Sequence, residues 1–192
     1  MLSAAQHEAV TSEAARPLQI LAGPGSGKTR VLTSRVAHLV RDSAAPIAPE
    51  RCVVVTFTNR AANEMRARLE TMIGADRTRR LVLGTFHAVC VRFLRRWGTR
   101  LGLDPRFTIA DTDDARRLLR DVDRDAPVDA TLAAISRAKA HGWTPDELRA
   151  SAQHAPGSPA HTEHLALCRT YAAYQQQLRT SHALDFDDLL LL

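Results

Sequence analysis

The first half of the chain alternates short apolar runs with longer stretches in which apolar residues recur at helical spacing. The runs 17–22, 52–57 and 81–83 are rich in Leu, Ile and Val, which is typical of buried parallel strands. The stretches 28–41 and 61–73 place their apolar side chains on one stripe, and they predict amphipathic helices. This repeated strand–turn–helix order predicts an α/β fold with a parallel sheet and right-handed crossovers.

A third helix is predicted after the segment 84–87, with one apolar face and one face rich in arginine. We expect its outward face to carry Arg92, Arg95, Arg96 and Arg100. We expect its inward face to bury Val89, Cys90, Phe93, Leu94 and Trp97. This helix is therefore predicted to pack on the sheet and to present a basic surface.

The pattern changes after residues 107–110, which form one more predicted strand. A helix begins at Asp111 or Thr112, since either side chain can serve as its N-cap. The segment 144–147 has Thr, Pro and Glu in the order of a capping box with proline at the first helical position. Further helices are predicted over about 131–141 and 163–180. The second half of the chain is therefore mostly helical.

We predict three segments from these patterns: a strand-containing domain over 1–110, a helical insertion over 111–181, and a return to the first domain at 182–192. The charge distribution changes in the same region. Residues 57–106 carry a net charge of +7, all of their basic side chains being arginine, whereas residues 107–192 carry −4. Overall composition alone would distribute the positive charge evenly along the chain. The local excess of arginine in residues 57–106 therefore favours an acidic partner.

The composition of the 192 residues is that of a globular protein, with 45% hydrophobic and 24% charged residues and a net charge of +5. No run of about 18 apolar residues exists, so the sequence predicts no membrane span. Three cysteines, Cys52, Cys90 and Cys168, lack the spacing of a metal site. Cys52 and Cys90 lie inside apolar runs, so we expect both thiols to be buried, and we expect a reducing compartment.

The turn that follows the first apolar run is rich in glycine and ends in a Lys-Thr pair. Its glycines allow backbone N–H groups to converge on phosphate oxygens, and the helix N-terminus adds a partial positive charge. Lys28 can reach the β- and γ-phosphates, and the Thr29 hydroxyl can ligate Mg²⁺. The sequence therefore predicts a site for ATP and Mg²⁺ formed by Ala22, Gly23, Pro24, Gly25, Ser26, Gly27, Lys28 and Thr29. Ala22 stands where the GxxxxGK[ST] pattern begins with glycine, and the structural alternative is a glycine-rich turn with a chance Lys-Thr.

With its flanking residues, the chain resembles the N-terminal part of superfamily 1 DNA helicases of the UvrD/Rep/PcrA type. The resemblance runs from residues 2–6 to residues 184–189. The segments 18–35, 142–145 and 182–190 are similar to the fungal nuclear anti-recombinase branch. The resemblance implies a RecA-like P-loop NTPase sheet over 1–110 with an inserted helical subdomain. It also implies an ATP-dependent helicase that moves 3′ to 5′ on DNA and acts in repair or recombination.

Two residues outside the turn gain a nucleotide-binding role from this resemblance. Gln6 matches the family's Q motif, in which the side-chain amide reads the adenine edge. The spacing from Ser3 to Gln6 also fits a capping box, in which Gln6 would only close the first helical turn. Arg30 matches the residue whose guanidinium lies against the adenine, a role that suits its planar cation. Its structural alternative is a solvated helix arginine.

Two further family motifs predict single-stranded DNA contacts at the ends of predicted strands, where open α/β sheets bind ligands. An aromatic ring beside small hydroxyls suits a single strand, since the ring stacks on bases and the hydroxyls hold phosphates. The first motif contributes Thr56, Phe57, Thr58 and Asn59, and the second contributes Thr85, Phe86 and His87. Phe57 taken alone would more often be a core residue, but the arginine excess around both motifs favours DNA binding.

Hydrolysis also needs an acidic pair that follows an apolar strand, and this sequence has none. Asp187 and Asp188 precede the apolar residues 189–192, so the family resemblance makes them a helix start. We therefore expect the chain to be a fragment or a truncated gene product that alone turns over essentially no ATP.

The expected partners of the intact protein are single-stranded DNA and its junctions with duplex DNA, and we expect a monomer. The expected location is the nucleus in a eukaryote, which the sequence favours, or the cytoplasm and nucleoid in a bacterium. Two other functions stay open: a non-enzymatic DNA or protein docking module, and a different phosphate-loop phosphotransferase.

Overall fold

The structure is a computed structural model that describes residues 2–153 and 155–192. The chain divides into two compact units, Met1–Val89 and Cys90–Leu192. Each unit contains one two-stranded parallel sheet with helices packed around it. The prediction of a mixed α/β fold with parallel strands is therefore confirmed.

The first unit contains the sheet that orders the predicted DNA motifs. Strands β1 and β2 pair in parallel, with Val53 opposite Val82 and Thr56 opposite Thr85. A π-helical turn, His38–Asp42, extends the second helix, and Pro49–Arg51 forms a short 3₁₀ turn. The regular elements are α1 (Ala4–Thr11), α2 (Lys28–Ala37), β1 (Val53–Thr56), α3 (Asn59–Ile73), α4 (Ala75–Arg80) and β2 (Val82–Thr85).

The core of the first unit forms where α2 and α3 bury their apolar stripes against the sheet. Leu69 and Leu81 have almost no exposed surface. Burying a side chain of this size contributes about 1.5–3 kcal/mol to folding. The buried cluster contains Val36, Ala37, Val40, Val54, Ala62, Met65, Leu69, Ile73, Leu81 and Leu83. This packing fixes the register of β1 and β2, and with it the positions at which both strands end.

The strand predicted over residues 17–22 is wrong. These residues have no strand geometry and pair with no strand of the described chain. Leu18, Ile20 and Leu21 are exposed, Leu21 by 85%. A strand is stabilised by backbone hydrogen bonds to a neighbour, and without such a partner the apolar composition does not produce one.

The second unit consists mainly of helices that enclose a short sheet. Thr108–Ile109 (β3) and Ala183–Leu184 (β4) pair in parallel. The capping box predicted at Thr144 is present, and of the two N-cap candidates Asp111 and Thr112, Asp111 is the N-cap. Helix α5 spans Phe86–Trp97, and the later helices are α6 (Thr112–Val122), α7 (Val128–Ala140), α8 (Pro145–Ala150), α9 (Pro159–Thr180) and α10 (Asp188–Leu191).

The inward face predicted for helix α5 is correct at Leu94 and wrong at Trp97. Leu94 is buried beside Phe107, Leu184 and Leu189. Trp97 is 45% exposed, because it ends the helix and its ring packs on Phe93 outside that cluster. An apolar stripe read from spacing alone includes such a terminal residue even where the core has ended.

The single predicted sheet is thus replaced by two separate two-stranded sheets, β1 with β2 and β3 with β4. Each sheet lies within one compact unit. These compact units do not test the predicted segments, so the bounds 1–110, 111–181 and 182–192 stay predictions.

Candidate functional site

The two predicted DNA motifs lie side by side at the carboxyl ends of β1 and β2. Thr56 ends one strand opposite Thr85 at the end of the other. The next residues, Phe57 and Phe86, place their ring centroids 5.6 Å apart with the planes tilted by 52°. Phe57 is 90% exposed, so it is not a core residue. The sheet therefore presents an accessible aromatic pair at the edge where the sequence predicts single-stranded DNA.

The threonines of both motifs also have local structural roles. The Thr58 hydroxyl accepts a hydrogen bond from the Ala61 N–H and caps helix α3, while Thr85 accepts one from the Ala88 N–H at the start of α5. Thr56 is buried and donates to the carbonyl of Thr58. These contacts explain why small hydroxyl residues stand at the two strand ends, since they begin the following helices.

Asn59 and His87, the remaining motif residues, begin the two helices that leave this edge of the sheet. Asn59 is the first residue of α3 and is exposed. His87 is the second residue of α5 and is half-buried. Both therefore lie within two residues of the phenylalanine that precedes them in the chain, as the motifs predict.

Two glycines of the glycine-rich turn adopt a backbone conformation that other residues rarely adopt. Gly25 and Gly27 have φ angles of 72° and 86°, in the left-handed region that favours glycine. Lys28 begins helix α2 directly after Gly27, and its ammonium donates to the carbonyls of Ala22 (2.9 Å) and Gly23 (2.8 Å). The loop therefore curls around the lysine, which two neutral carbonyls hold within the turn.

The residues around this turn fit an anionic ligand. Gly27 provides no side-chain cap for α2, and the first turn of the helix contains no acidic residue, so its positive dipole end is not neutralised there. A Cβ placed on Gly23 or Gly25 would meet no atom within 4 Å, which leaves open space beside the loop. Thr29 and Arg30 are exposed on the same first turn of α2. Phosphate oxygens are stronger acceptors for an ammonium than the neutral carbonyls that hold it here.

Gln6 connects the first helix to the phosphate loop. The capping box is present, because Gln6 Oε1 accepts from the Ser3 N–H at 2.9 Å and the Gln6 N–H donates to Ser3 Oγ. At the same time Gln6 Nε2 donates to the Ser26 carbonyl at 2.9 Å. The amide keeps one N–H and one lone pair beyond these bonds. The capping role is thus confirmed, and the adenine-reading role stays a prediction supported by this link.

The second unit contains a buried ion cluster that the sequence did not predict. The Lys139 ammonium, with no exposed side-chain surface, lies 2.6 Å from Asp185 Oδ2 and 2.8 Å from Asp188 Oδ1. Tyr174 donates to Asp185 Oδ2, and Gln175 donates to Asp188 Oδ1. The available signal was composition, since Lys139 is one of only two lysines in an arginine-rich chain.

Burial shifts the pKa values of Asp188 and of two nearby tyrosines. Removal from water raises the pKa of Asp188 above its ordinary value, and the neighbouring Lys139 opposes that rise. Burial and the nearby carboxylates also raise the pKa of Tyr174, and they raise the pKa of Tyr171 to about 12. The carboxylates of Asp185 and Asp188 are thus paired with a cation of the same unit.

The chain is thus an α/β protein that combines a glycine-rich Gly-Lys-Thr turn with an exposed aromatic pair at the ends of two parallel strands. A family model described as the UvrD/REP helicase N-terminal domain matches residues 2–192. The chain belongs to this family. The resemblance to UvrD/Rep/PcrA-type helicases is therefore confirmed.

Curated relatives agree with this family. The chain is 42% identical over 183 residues to the ATP-dependent DNA helicase PcrA of Leuconostoc citreum, covering 92% of this chain and 23% of that protein. It is 38% identical over 198 residues to PcrA of Staphylococcus epidermidis, covering 99% of this chain and 26% of that protein. It is 39% identical over 194 residues to PcrA of Staphylococcus aureus, covering 97% and 25%. The chain therefore spans about a quarter of the length of these relatives.

These relatives are bacterial, and they give no support to the nuclear location or the fungal branch that the sequence favoured. Among the described helices, none is long and apolar enough to cross a membrane.

Proposed function

We propose that this chain is the ATP-binding and single-strand-binding part of an ATP-dependent DNA helicase with a RecA-like nucleotide domain. The carrying observation is the register of β1 and β2, which brings the exposed Phe57 beside Phe86 at the strand ends. Aromatic rings in this position bind bases of any sequence, as a translocating enzyme requires. The relatives are named ATP-dependent DNA helicases, which supports the same activity for the protein that contains this chain.

The nucleotide role follows from the loop. Lys28 would hold the β- and γ-phosphates, the N–H groups of the glycine-rich turn would bind their oxygens, and Thr29 would ligate Mg²⁺. Gln6 and Arg30 would contact the adenine. Bound Mg·ATP supplies the phosphoanhydride bond whose hydrolysis drives movement. The residues of this chain position that bond and neutralise its charge.

The 192 residues alone are proposed to bind Mg·ATP weakly and to turn over essentially none. Asp185 and Asp188 hold Lys139 inside the second unit and are not free to coordinate a metal ion. Movement from 3′ to 5′, a role in repair or recombination, action at single-strand/duplex junctions and a monomeric state belong to the same proposal. They rest on the family resemblance.

Replacement of Phe57 by Ala tests the strand-end site. Because stacking on an aromatic ring contributes about 1–3 kcal/mol per base, we expect the Kd for a fluorescein-labelled oligothymidylate to rise about 5- to 150-fold. Fluorescence anisotropy at low salt measures the change. Phe57 is 90% exposed, so the circular dichroism spectrum should not change.

Phe57→Leu is the matched control, since it keeps the apolar bulk and removes the π-face. It should bind nearly as weakly as Phe57→Ala. Wild-type affinity in both variants would show that the aromatic pair does not hold DNA. Equal affinity with and without Mg·ATP, together with no ATPase of the intact protein, would favour a docking module.

A further inference from the structure

The second unit contains an exposed surface that combines arginine with tryptophan. We call Arg92, Arg96, Trp97 and Arg100 the basic aromatic surface. All four side chains are exposed, Trp97 by 45%. Residues 90–103 contain four arginines and no aspartate or glutamate. The chain therefore concentrates positive charge around one of its two tryptophans, where no acidic side chain of the segment can neutralise it.

The arginines of this segment differ in what they contact. Arg95 has a structural role, because it donates to the carbonyls of Pro105 and Phe107 and lies 4.9 Å above the Phe107 ring. Within the described residues, Arg92 and Arg100 form no ion pair. They follow the four-residue spacing of helix α5 and the short turn after it, with Arg96 between them. Three guanidinium groups are thus left for an external anion.

Trp97 is held in place while part of its ring faces solvent. Its centroid lies 5.3 Å from that of Phe93, and the Arg96 guanidinium lies 5.1 Å from the Trp97 ring. An exposed tryptophan that is already ordered by two neighbours loses little conformational freedom when a partner stacks on it. The Arg96 contact also places a positive charge next to the indole ring.

We propose that the basic aromatic surface binds a segment of single-stranded nucleic acid outside the strand-end site of the first unit. A base stacks on Trp97, and the flanking phosphates contact Arg92, Arg96 and Arg100. An acidic peptide would satisfy the arginines but would leave the indole face without a planar partner. This inference rests on the proposed function only in taking single-stranded nucleic acid as the ligand. It adds a second region of the protein that contacts this ligand.

The test uses Trp97 as its own reporter. The full chain with Trp143→Phe retains a single tryptophan, whose emission is followed during titration with oligothymidylate. We expect saturable quenching that weakens as salt is added. Arg92→Gln with Arg100→Gln should raise the Kd about tenfold. The double substitution should also lower the slope of log K against log salt by about 1.4, since each lost phosphate contact contributes about 0.7.

The matched control is Arg120→Gln with Arg149→Gln, which removes the same charge from exposed positions elsewhere in the second unit. This variant should retain the affinity and the salt slope to within about twofold. Phe57→Ala, which removes the strand-end stack, should leave the quenching of Trp97 in place at higher oligonucleotide concentration. That outcome would separate the two binding regions.

Three outcomes would overturn the inference. Oligonucleotide binding seen by anisotropy with no change in Trp97 emission would leave the strand-end site intact and remove the basic aromatic surface. Quenching by polyglutamate but not by oligothymidylate would assign the surface to an acidic protein. An equal loss of affinity in the Arg120/Arg149 control would show that the weaker binding results from the lower net charge and not from the basic aromatic surface. Failure of the proposed strand-end site is distinguishable, because Phe57→Ala would then bind with wild-type affinity in the anisotropy assay while the quenching of Trp97 persists.

Discussion

Replacement of Lys139 by Met should destabilise the second unit by about 3–5 kcal/mol, the cost of removing one partner of a buried ion pair. The ammonium is fully buried and holds both Asp185 and Asp188, so the substitution leaves two carboxylates without a cation. Both tryptophans lie in residues 90–192, so their fluorescence follows the unfolding of this unit. We expect the urea midpoint to fall by about 2 M.

The pH dependence of this loss has a definite sign. Burial already raises the pKa of Asp188, and removal of Lys139 takes away the group that opposes the rise. Below the pKa that Asp188 has in the unfolded chain, its carboxyl is protonated in both states, so its burial carries no charge penalty. As the pH rises through the interval up to the raised folded pKa, only the unfolded state ionises freely, so stability falls. The loss in free energy of unfolding caused by Lys139→Met should therefore be small near pH 4 and should reach about 3–5 kcal/mol at neutral pH.

A second substitution separates charge from packing. Lys139→Met with Asp188→Asn removes one of the stranded charges, so it should be more stable than Lys139→Met alone at neutral pH. A deficit that is the same at both pH values, and that Asp188→Asn does not reduce, would show that Lys139 contributes packing rather than charge compensation.

The hydrophobic pattern predicted the helices well because each one buries a continuous stripe. Ala62, Met65, Leu69 and Ile73 follow helical spacing, and all four are buried in the first core. The same reasoning failed at residues 17–22, since a strand depends on a partner that the local pattern does not contain. It failed again at Trp97, where spacing identified the stripe but not the position at which the core ends.

The sequence predicted the parts of the candidate site in which a short motif specifies the residue type. The left-handed angles of Gly25 and Gly27 and the exposure of Phe57 agree with motifs read from sequence. The Lys139 cluster was not predictable, because its members are 46 and 49 residues apart and only the folded chain joins them. For Gln6 the sequence left two roles open. Its two alternatives are compatible, since one amide closes the helix turn and also contacts the loop at Ser26.

Replacement of Lys28 by Ala should weaken nucleotide binding about 10- to 100-fold, which would abolish measurable binding if the isolated chain binds weakly. Hydrogen bonds to charged groups contribute about 1.5–3 kcal/mol each, and Lys28 is the cation that the loop encloses. Titration with a fluorescent ATP analogue in the presence of Mg²⁺ measures the loss. Because Lys28 is exposed and contacts only two carbonyls, the unfolding midpoint should hardly change.

Arg16→Ala is the control for charge, since Arg16 is an exposed cation of the same unit that forms an ion pair with Glu13. It should bind the analogue as the wild type does, because salt and solvent screen the charge of an exposed side chain. Retained binding in Lys28→Ala would mean that the turn from Ala22 to Thr29 is a structural bend. The lysine would then serve only the two carbonyls that it contacts. A loss in both variants would assign the effect to net charge, so the loop is identified only by the difference between them.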